Sequence, residues 1–270
     1  MEKGKAPQPS NAEPAFPPFG GRGAVWWLFI SSSALLSAGW FMKPFPVFMF
    51  IGLAPLFAIV DRTIDSQHFW EKSEMILLSL VVFFFSAFLF DSSSIVNVLV
   101  LAIIFTLPFL GFAYIYKNLG PRTGKFIIII LWLGIEYALV KIQWTDQIIF
   151  LADALQIKNN WLRWNNETGY LGASAWILLA NWIFYAGTLR NGLNWFLIFL
   201  ALAVVTGPIV YSLMLDAKPI LRTEMIELYR DNSVADVGYS AKGELVTRTC
   251  AWLSLLIVLF AVVKSRVTKK

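Results

Sequence analysis

The sequence predicts an all-α integral membrane protein with about eight transmembrane helices, and three observations predict it. Apolar stretches recur along the whole chain at lengths close to those of membrane-crossing helices. Charged residues make up 14% of the 270 residues and hydrophobic residues 58%, with a mean hydropathy of +0.66, whereas soluble domains carry about 25% charged residues. The short connections divide Lys and Arg unevenly between the two sides, which is the pattern that sets membrane orientation.

Taken in order, residues 1–24 hold five prolines and little aliphatic content. They read as a disordered Pro-rich cytoplasmic tail, because a signal peptide would place its apolar region earlier. Spans are expected at about 25–41, 45–60, 75–91, 95–116, 125–142, 172–189, 194–214 and 249–264. Several fall short of the ~20 residues that cross a hydrocarbon core. The first pair, joined by Lys43-Pro44-Phe45-Pro46, is either two short spans or a broken, re-entrant element. With the N-terminus inside, the inside segments hold 13 of the 22 basic residues, and eight of the other nine lie in or beside the two longest outside connections. Eight spans then put both termini in the cytoplasm, with 265–270 as a basic cytoplasmic tail.

Two connections are more than turns. In residues 142–171, Ile148, Leu151, Ala152, Leu155 and Leu162 recur at helical spacing, with Asp146, Asp153 and Asn160 on other faces. Trp144, Trp161 and Trp164 are of the type that settles at headgroup depth. These features predict an interfacial helix in the outside loop between spans five and six. Residues 215–248 form the second outside connector, with a helix expected around Ile220 to Tyr229.

Composition also excludes. Cys250 is the single cysteine, so an internal disulfide or a Cys-rich metal site is ruled out. One histidine, His68 in a charged loop, argues against a His-based zinc site. No cofactor is expected. The net charge of +5 reads as the cytoplasmic excess of a membrane protein and not as a nucleic-acid surface, since no soluble face gathers the basic residues.

The stretch WLRWNNETGYLGASAWILLAN, residues 161–181, passes from polar to membrane-like across Gly169 and Gly172. Thr168-Gly169-Tyr170-Leu171-Gly172, closing on Ala180-Asn181, resembles the run into the sixth span of apolipoprotein N-acyltransferases. Trp132, Glu136 and Tyr137 in LWLGIEYALV are similar to that family's Trp-x-x-x-Glu-aromatic pattern in span five. KPFPVFMFIGLAPLFAIVD, 43–61, resembles its Pro-rich approach to span two and later Ala-Pro-Leu. The resemblance covers most of 25–214. It implies eight spans, a nitrilase-like domain with a Glu-Lys-Cys triad between spans seven and eight, and transfer of an acyl chain from phospholipid to a lipoprotein amine.

The chain departs from that plan where the catalytic domain would lie. The 34 residues of 215–248 are too few to bury the core of an αββα sandwich. The span at 249–264 still looks like the family's return to the membrane. Lys242, Glu244 and Cys250 supply the three triad residue types, but Cys250 opens an apolar helix, the wrong setting for a thiolate nucleophile, and no catalytic residue is assigned. Lipid- or substrate-facing candidates are Trp132, Glu136, Tyr137, Trp144, Trp161, Arg163, Trp164, Glu167, Thr168, Gly169 and Tyr170. Glu136 is either part of a lipid site near the outer surface or bonded to a neighbouring helix. Gly134 and Ala138 beside it suggest close helix packing. Asn97 and Asn181 read as interhelical hydrogen-bonders. Asp61 and Asp91 are expected to face headgroups, and Ser92-Ser93-Ser94 to form a turn.

Three functions compete. The first is a lipid-handling module of the bacterial inner membrane that binds phospholipid or lipoprotein, with a separately encoded nitrilase-like subunit supplying catalysis. The second is a non-catalytic scaffold or regulator that binds a partner protein. The third, a small transporter, lacks an internal repeat and a second intramembrane charge.

Overall fold

The fold is that of a computed structural model, which describes residues 22–42, 46–64, 69–89, 95–120, 124–142, 148–190, 192–230 and 243–268. Most of the N-terminal tail, the Lys43–Phe45 joint, His68, Asp91, the Ser92–Ser94 turn, Trp144, Asp146 and Lys242 lie outside the described residues. Among the described residues every regular element is helical. In chain order these are α1 (Arg22–Phe41), a 3-10 turn at Pro46–Phe48, α2 (Met49–Gly52), α3 (Ala54–Thr63), α4 (Phe69–Phe88), α5 (Ile95–Leu119) and α6 (Phe126–Lys141). A 3-10 helix at Leu151–Trp161, α7 (Asn165–Thr168), α8 (Gly172–Tyr185), a π-helical turn at Ala186–Arg190, α9 (Trp195–Met214), α10 (Arg222–Arg230) and α11 (Leu245–Thr268) follow. Helices thus occupy each of the eight stretches that the apolar pattern marks as spans.

Four of them are long and apolar enough to cross a membrane: Gly23–Phe41, Ile95–Leu119, Trp195–Met214 and Leu245–Val267. The chain is therefore a membrane protein by the length and composition of its helices. The remaining segments depart from a simple span for identifiable reasons. α6 has 16 residues, about 24 Å at 1.5 Å per residue, and the apolar part of α4 begins only at Ser73. α8 is α-helical for 14 residues and continues as the π turn.

The second expected span is broken. α2 stops at Gly52 and α3 starts at Ala54, with Pro55 in its first turn, where a missing N–H costs no helical bond. Backbone groups freed at such a break must find partners when buried. The Asn181 side chain, from the middle of α8, enters the gap. Its Oδ1 accepts from Leu53 N at 2.7 Å and Ala54 N at 3.0 Å, and its Nδ2 donates to Met49 O at 2.7 Å and Ile177 O at 2.8 Å. Ser32 of α1 donates to Gly52 O at 2.7 Å. A side chain at Gly52 would strike Leu36 of α1, so the glycine lets α1 approach the break.

Aromatic rings fill the centre. Trp132 of α6 lies 4.7 Å from Phe105 and meets Phe109 edge-on; Phe105 stacks on Phe84. α11 packs along α6 at Gly134, where a Cβ would fall 2.6 Å from Ser254 Oγ and 3.3 Å from Ala251 Cα. That close approach is the one the small residues beside Glu136 predict. Outward, α9 exposes Trp195, Phe196, Phe199 and Leu202, and α11 exposes Trp252, Leu256, Leu259 and Phe260. Contiguous apolar faces of this size suit hydrocarbon and not water.

Candidate functional site

The described parts of the two long connectors, 148–171 and 215–230 with 243–244, fold together over one end of the bundle. The layer is built upward from Glu136, fully buried on α6 one turn past Trp132. Its Oε1 accepts from Trp132 Nε1 at 3.1 Å and from Leu151 N at 3.3 Å. Leu151 N begins the 3-10 helix, and a helix start leaves its first N–H groups without intrahelical acceptors. The next amide, Ala152 N, donates to Ser174 Oγ of α8 at 3.0 Å. Residue 150 is held by Asp153, whose Oδ2 accepts from Phe150 N at 2.8 Å. Two neighbouring helices and its own Asp153 thereby fasten the start of the Leu151–Trp161 helix. Its apolar residues Leu151, Ala152 and Leu155, with Ile148 and Leu162 on either side, are all buried against the bundle. The stripe expected to face lipid faces protein.

Asp153 also ties this first connector to the second. Arg222 Nη1, at the start of α10, pairs with Asp153 Oδ2 at 2.6 Å, and Arg222 Nη2 donates to Ile148 O at 2.6 Å. The guanidinium lies over the Phe150 ring. Tyr170 OH donates to Asp153 Oδ1 at 2.5 Å, and Gln156 Nε2 donates to the same oxygen at 3.1 Å and to Tyr170 OH at 2.8 Å. Burial raises the Asp153 carboxyl from its ordinary value, against the opposing pull of Arg222 and the hydrogen bonds. Burial, and next the Asp153 charge, also raise the Tyr170 phenol well above its usual value, so it stays neutral and donates.

The polar run 161–172 meets the second connector residue by residue. Buried Asn165 pairs reciprocally with Ile220: Nδ2 donates to Ile220 O at 2.9 Å and Oδ1 accepts from Ile220 N at 2.8 Å. Asn166 Nδ2 donates to Lys218 O at 2.6 Å. Arg163 reaches the end of α9, its backbone N to Ser212 Oγ and its Nη1 to Leu215 O, both at 2.7 Å. Glu244, buried just before α11, accepts from Tyr170 N at 2.7 Å and Leu171 N at 2.9 Å. A carboxylate at the head of α8 also faces the positive end of the helix dipole. Gly169 has φ +93°, and a Cβ there would sit 2.5 Å from Glu244 Oε2. Only glycine combines that dihedral with that clearance.

These contacts place most of the residues singled out by sequence. Trp132, Glu136, Gly169 and Tyr170 are buried, while Tyr137, Trp161, Arg163, Trp164 and Thr168 are half-buried and Glu167 is exposed. Glu136 and Tyr170 are brought together with Asp153 and Ser174 in one network. Trp161 accepts at its carbonyl from Trp164 Nε1 at 2.9 Å, and Trp164 packs edge-on against Trp176. Tyr137 stands under Lys141 Nζ at 5.9 Å. Trp144 lies outside the described residues. Sequence reasoning did not find Asp153, Asn165, Ser212, Arg222 or Glu244 as site residues. Each is an ordinary polar residue whose partner is between 15 and 75 positions away, and only the run of polar residues before Gly169 signals that something must meet it.

Glu244 holds two backbone amides through both carboxylate oxygens, and Cys250 is a half-buried residue of α11. Among the described residues no group of three or more His, Cys, Asp or Glu side chains could hold a metal. The arrangement clamps two connectors onto a helix bundle. Comparison with protein-family models, with curated proteins and with solved structures finds no match in any of the three.

Proposed function

We propose that the chain is an eight-span protein of the bacterial inner membrane, with both termini cytoplasmic, that serves as a lipid-handling module of the kind its resemblance to apolipoprotein N-acyltransferases implies. It presents phospholipid or lipoprotein at its outer face and takes its acyl-transfer chemistry from a separately encoded nitrilase-like subunit. The observation that carries this reading is the state of the second connector. Where the resemblance would place a catalytic domain, residues 215–221 and 244 are bonded into the bundle's own surface through Asn165, Arg163, Tyr170 and Leu171. Glu244, the carboxylate nearest in sequence to Cys250, caps α8 instead. A Leu151–Trp161 helix lying near the headgroup layer, with Trp161 and Trp164 setting its depth, belongs to the same reading.

The test is the N-terminal chemistry of lipoproteins. Mass spectrometry of lipoprotein N-terminal peptides from a strain deleted for the gene is expected to show free α-amines that are acylated in the parent. Fully acylated peptides in the deleted strain overturn the reading.

A second reading, a non-catalytic scaffold for a partner protein, is favoured by the connector layer itself. Asn165, Asp153 and Glu244 are each bonded within the chain, which leaves a pre-ordered surface of the kind that partners bind without large rearrangement. Crosslinking in membranes that yields a stoichiometric partner while lipoprotein acylation is unchanged selects this reading over the first.

A further inference from the structure

The end of the bundle far from the connector layer carries a second polar cluster, at the opposite ends of α6 and α8 from Glu136 and Ser174. Asp61 near the end of α3, Lys125 at the start of α6, Tyr185 at the end of α8 and Arg190 at the end of the π turn line a cavity of about 300 Å³. Lys125 pairs with Asp61 Oδ1, Tyr185 OH donates to Asp61 Oδ2, and Lys125 Nζ donates to Tyr185 OH at 2.8 Å. The carboxylate therefore holds Lys125 and Tyr185 in fixed positions.

Arg190 brings a second cation to the same place. Among the described lining residues Lys125 and Arg190 stand against one carboxylate, that of Asp61, which leaves a net positive charge in a cavity whose other walls include Phe112, Tyr116 and Trp182. Arg190 also borders a neighbouring cavity of about 470 Å³, shared with Leu193, Trp195 and Phe196. Those three side chains are exposed and apolar and lead onto the outward face of α9. A cation-rich hollow that opens onto an apolar helix face fits a molecule with a phosphate at one end and hydrocarbon at the other. Basic pockets between helices are a recurring way to hold anionic headgroups. Guanidinium groups suit the task because their N–H fork matches phosphate oxygens.

We propose that this cavity binds the phosphate of an anionic lipid headgroup, with Arg190 as its ligand and the lipid chains lying along Trp195 and Phe196. Asp61 positions Lys125 and tempers the charge. The site is independent of the connector layer and of any acyl transfer there.

The test uses the full chain in nanodiscs containing equal amounts of phosphatidylglycerol and phosphatidylcholine, with native mass spectrometry reporting the lipid that stays bound. The natural chain is expected to retain phosphatidylglycerol in preference to phosphatidylcholine. Arg190→Gln is expected to lower that retention about fivefold, the weight of one basic residue against an anionic lipid. Asp61→Asn is expected to raise it, because the one carboxylate among the described lining residues is gone. A merely structural role for Asp61 gives no gain. Should Arg190→Gln fail to fold, the sign of the Asp61→Asn effect carries the same decision. Equal retention of both lipids by the natural chain, or retention unchanged in Arg190→Gln, overturns the proposal. A parallel arm adds inorganic phosphate without lipid. Arginine-dependent binding of phosphate with no preference among lipids overturns the lipid assignment and gives the cavity to a soluble phosphate.

Discussion

Asn181 and Glu244 do the same kind of work at opposite levels of the bundle, each supplying side-chain atoms where the backbone lacks partners. Asn181 bonds three backbone groups around the α2–α3 break and Ile177 O of its own helix. Asn181→Leu strands Ala54 N and Met49 O in a buried place and leaves Leu53 N with Ile51 O alone, and each stranded group costs about 1–3 kcal/mol, so a loss of at least about 2 kcal/mol is expected. Thermal or denaturant unfolding in detergent micelles measures it, and a loss below about 0.5 kcal/mol contradicts the assignment. Glu244 differs because it carries charge as well as geometry. Glu244→Gln keeps one acceptor oxygen for Tyr170 N or Leu171 N, whereas Glu244→Ala keeps none. The alanine variant is expected to increase amide hydrogen exchange across 165–172, and the glutamine variant to do so less. Equal protection in all three forms means that the carboxylate does not cap α8. The interhelical role of Asn181 was legible in the sequence as an amide within an apolar span. That its partner would be a helix break was legible only in part, through Pro55 and the possibility of a broken element in 45–60. Glu244 and Tyr170 are 74 positions apart, and nothing local to either announces the other.

Among the elements, α6 and α11 show how small residues fix helix spacing. Without a hydrophobic driving force between helices in lipid, close van der Waals fit carries the association. Gly134 lets Ser254 and Ala251 come near, and Ser254 Oγ reaches Ile130 O at 2.9 Å across the contact. Gly134→Ala forces the helices apart by a few tenths of an ångström, with a loss of roughly 1–2 kcal/mol expected. Pairing it with Ser254→Gly restores room, so the double variant is expected to be more stable than the sum of the two single effects. Strict additivity of the unfolding energies would show that the contact does not set the spacing. The apolar pattern located these helices to within a few residues, because hydrophobic length is a local property. Helical spacing in 142–171 was legible, and a 3-10 helix lies there at Leu151–Trp161, but the burial of its apolar residues was not. An apolar stripe beside tryptophans reads the same whether it meets lipid or protein.

At the scale of the whole molecule, four helices of membrane-crossing length and the outward apolar faces of α9 and α11 make the bilayer the solvent of most of the surface. In the eight-span arrangement proposed above, charge in the short loops sets which end of the bundle faces which compartment. In a Cys250→Ser background, Lys158→Cys is expected to react with a membrane-impermeant maleimide in intact cells. Asn118→Cys and Arg266→Cys are expected to react only after permeabilisation. Any exchange of those outcomes reverses the orientation and with it the placement of the connector layer. The two ends of the molecule then have different tasks. One is closed by connectors bonded to the bundle, and the other holds a cation-rich cavity beside an apolar face. The proposed function rests on a resemblance to acyltransferases, whereas Leu215, Ile220 and Glu244 of the second connector are bonded to the bundle. The most direct measurement is acyl transfer from phospholipid to a synthetic diacylated lipopeptide by the purified chain alone. No product above the protein-free background is expected, with Cys250→Ala indistinguishable from the natural chain. Turnover that disappears in Cys250→Ala would contradict the account, since a catalytic centre would then lie within this chain.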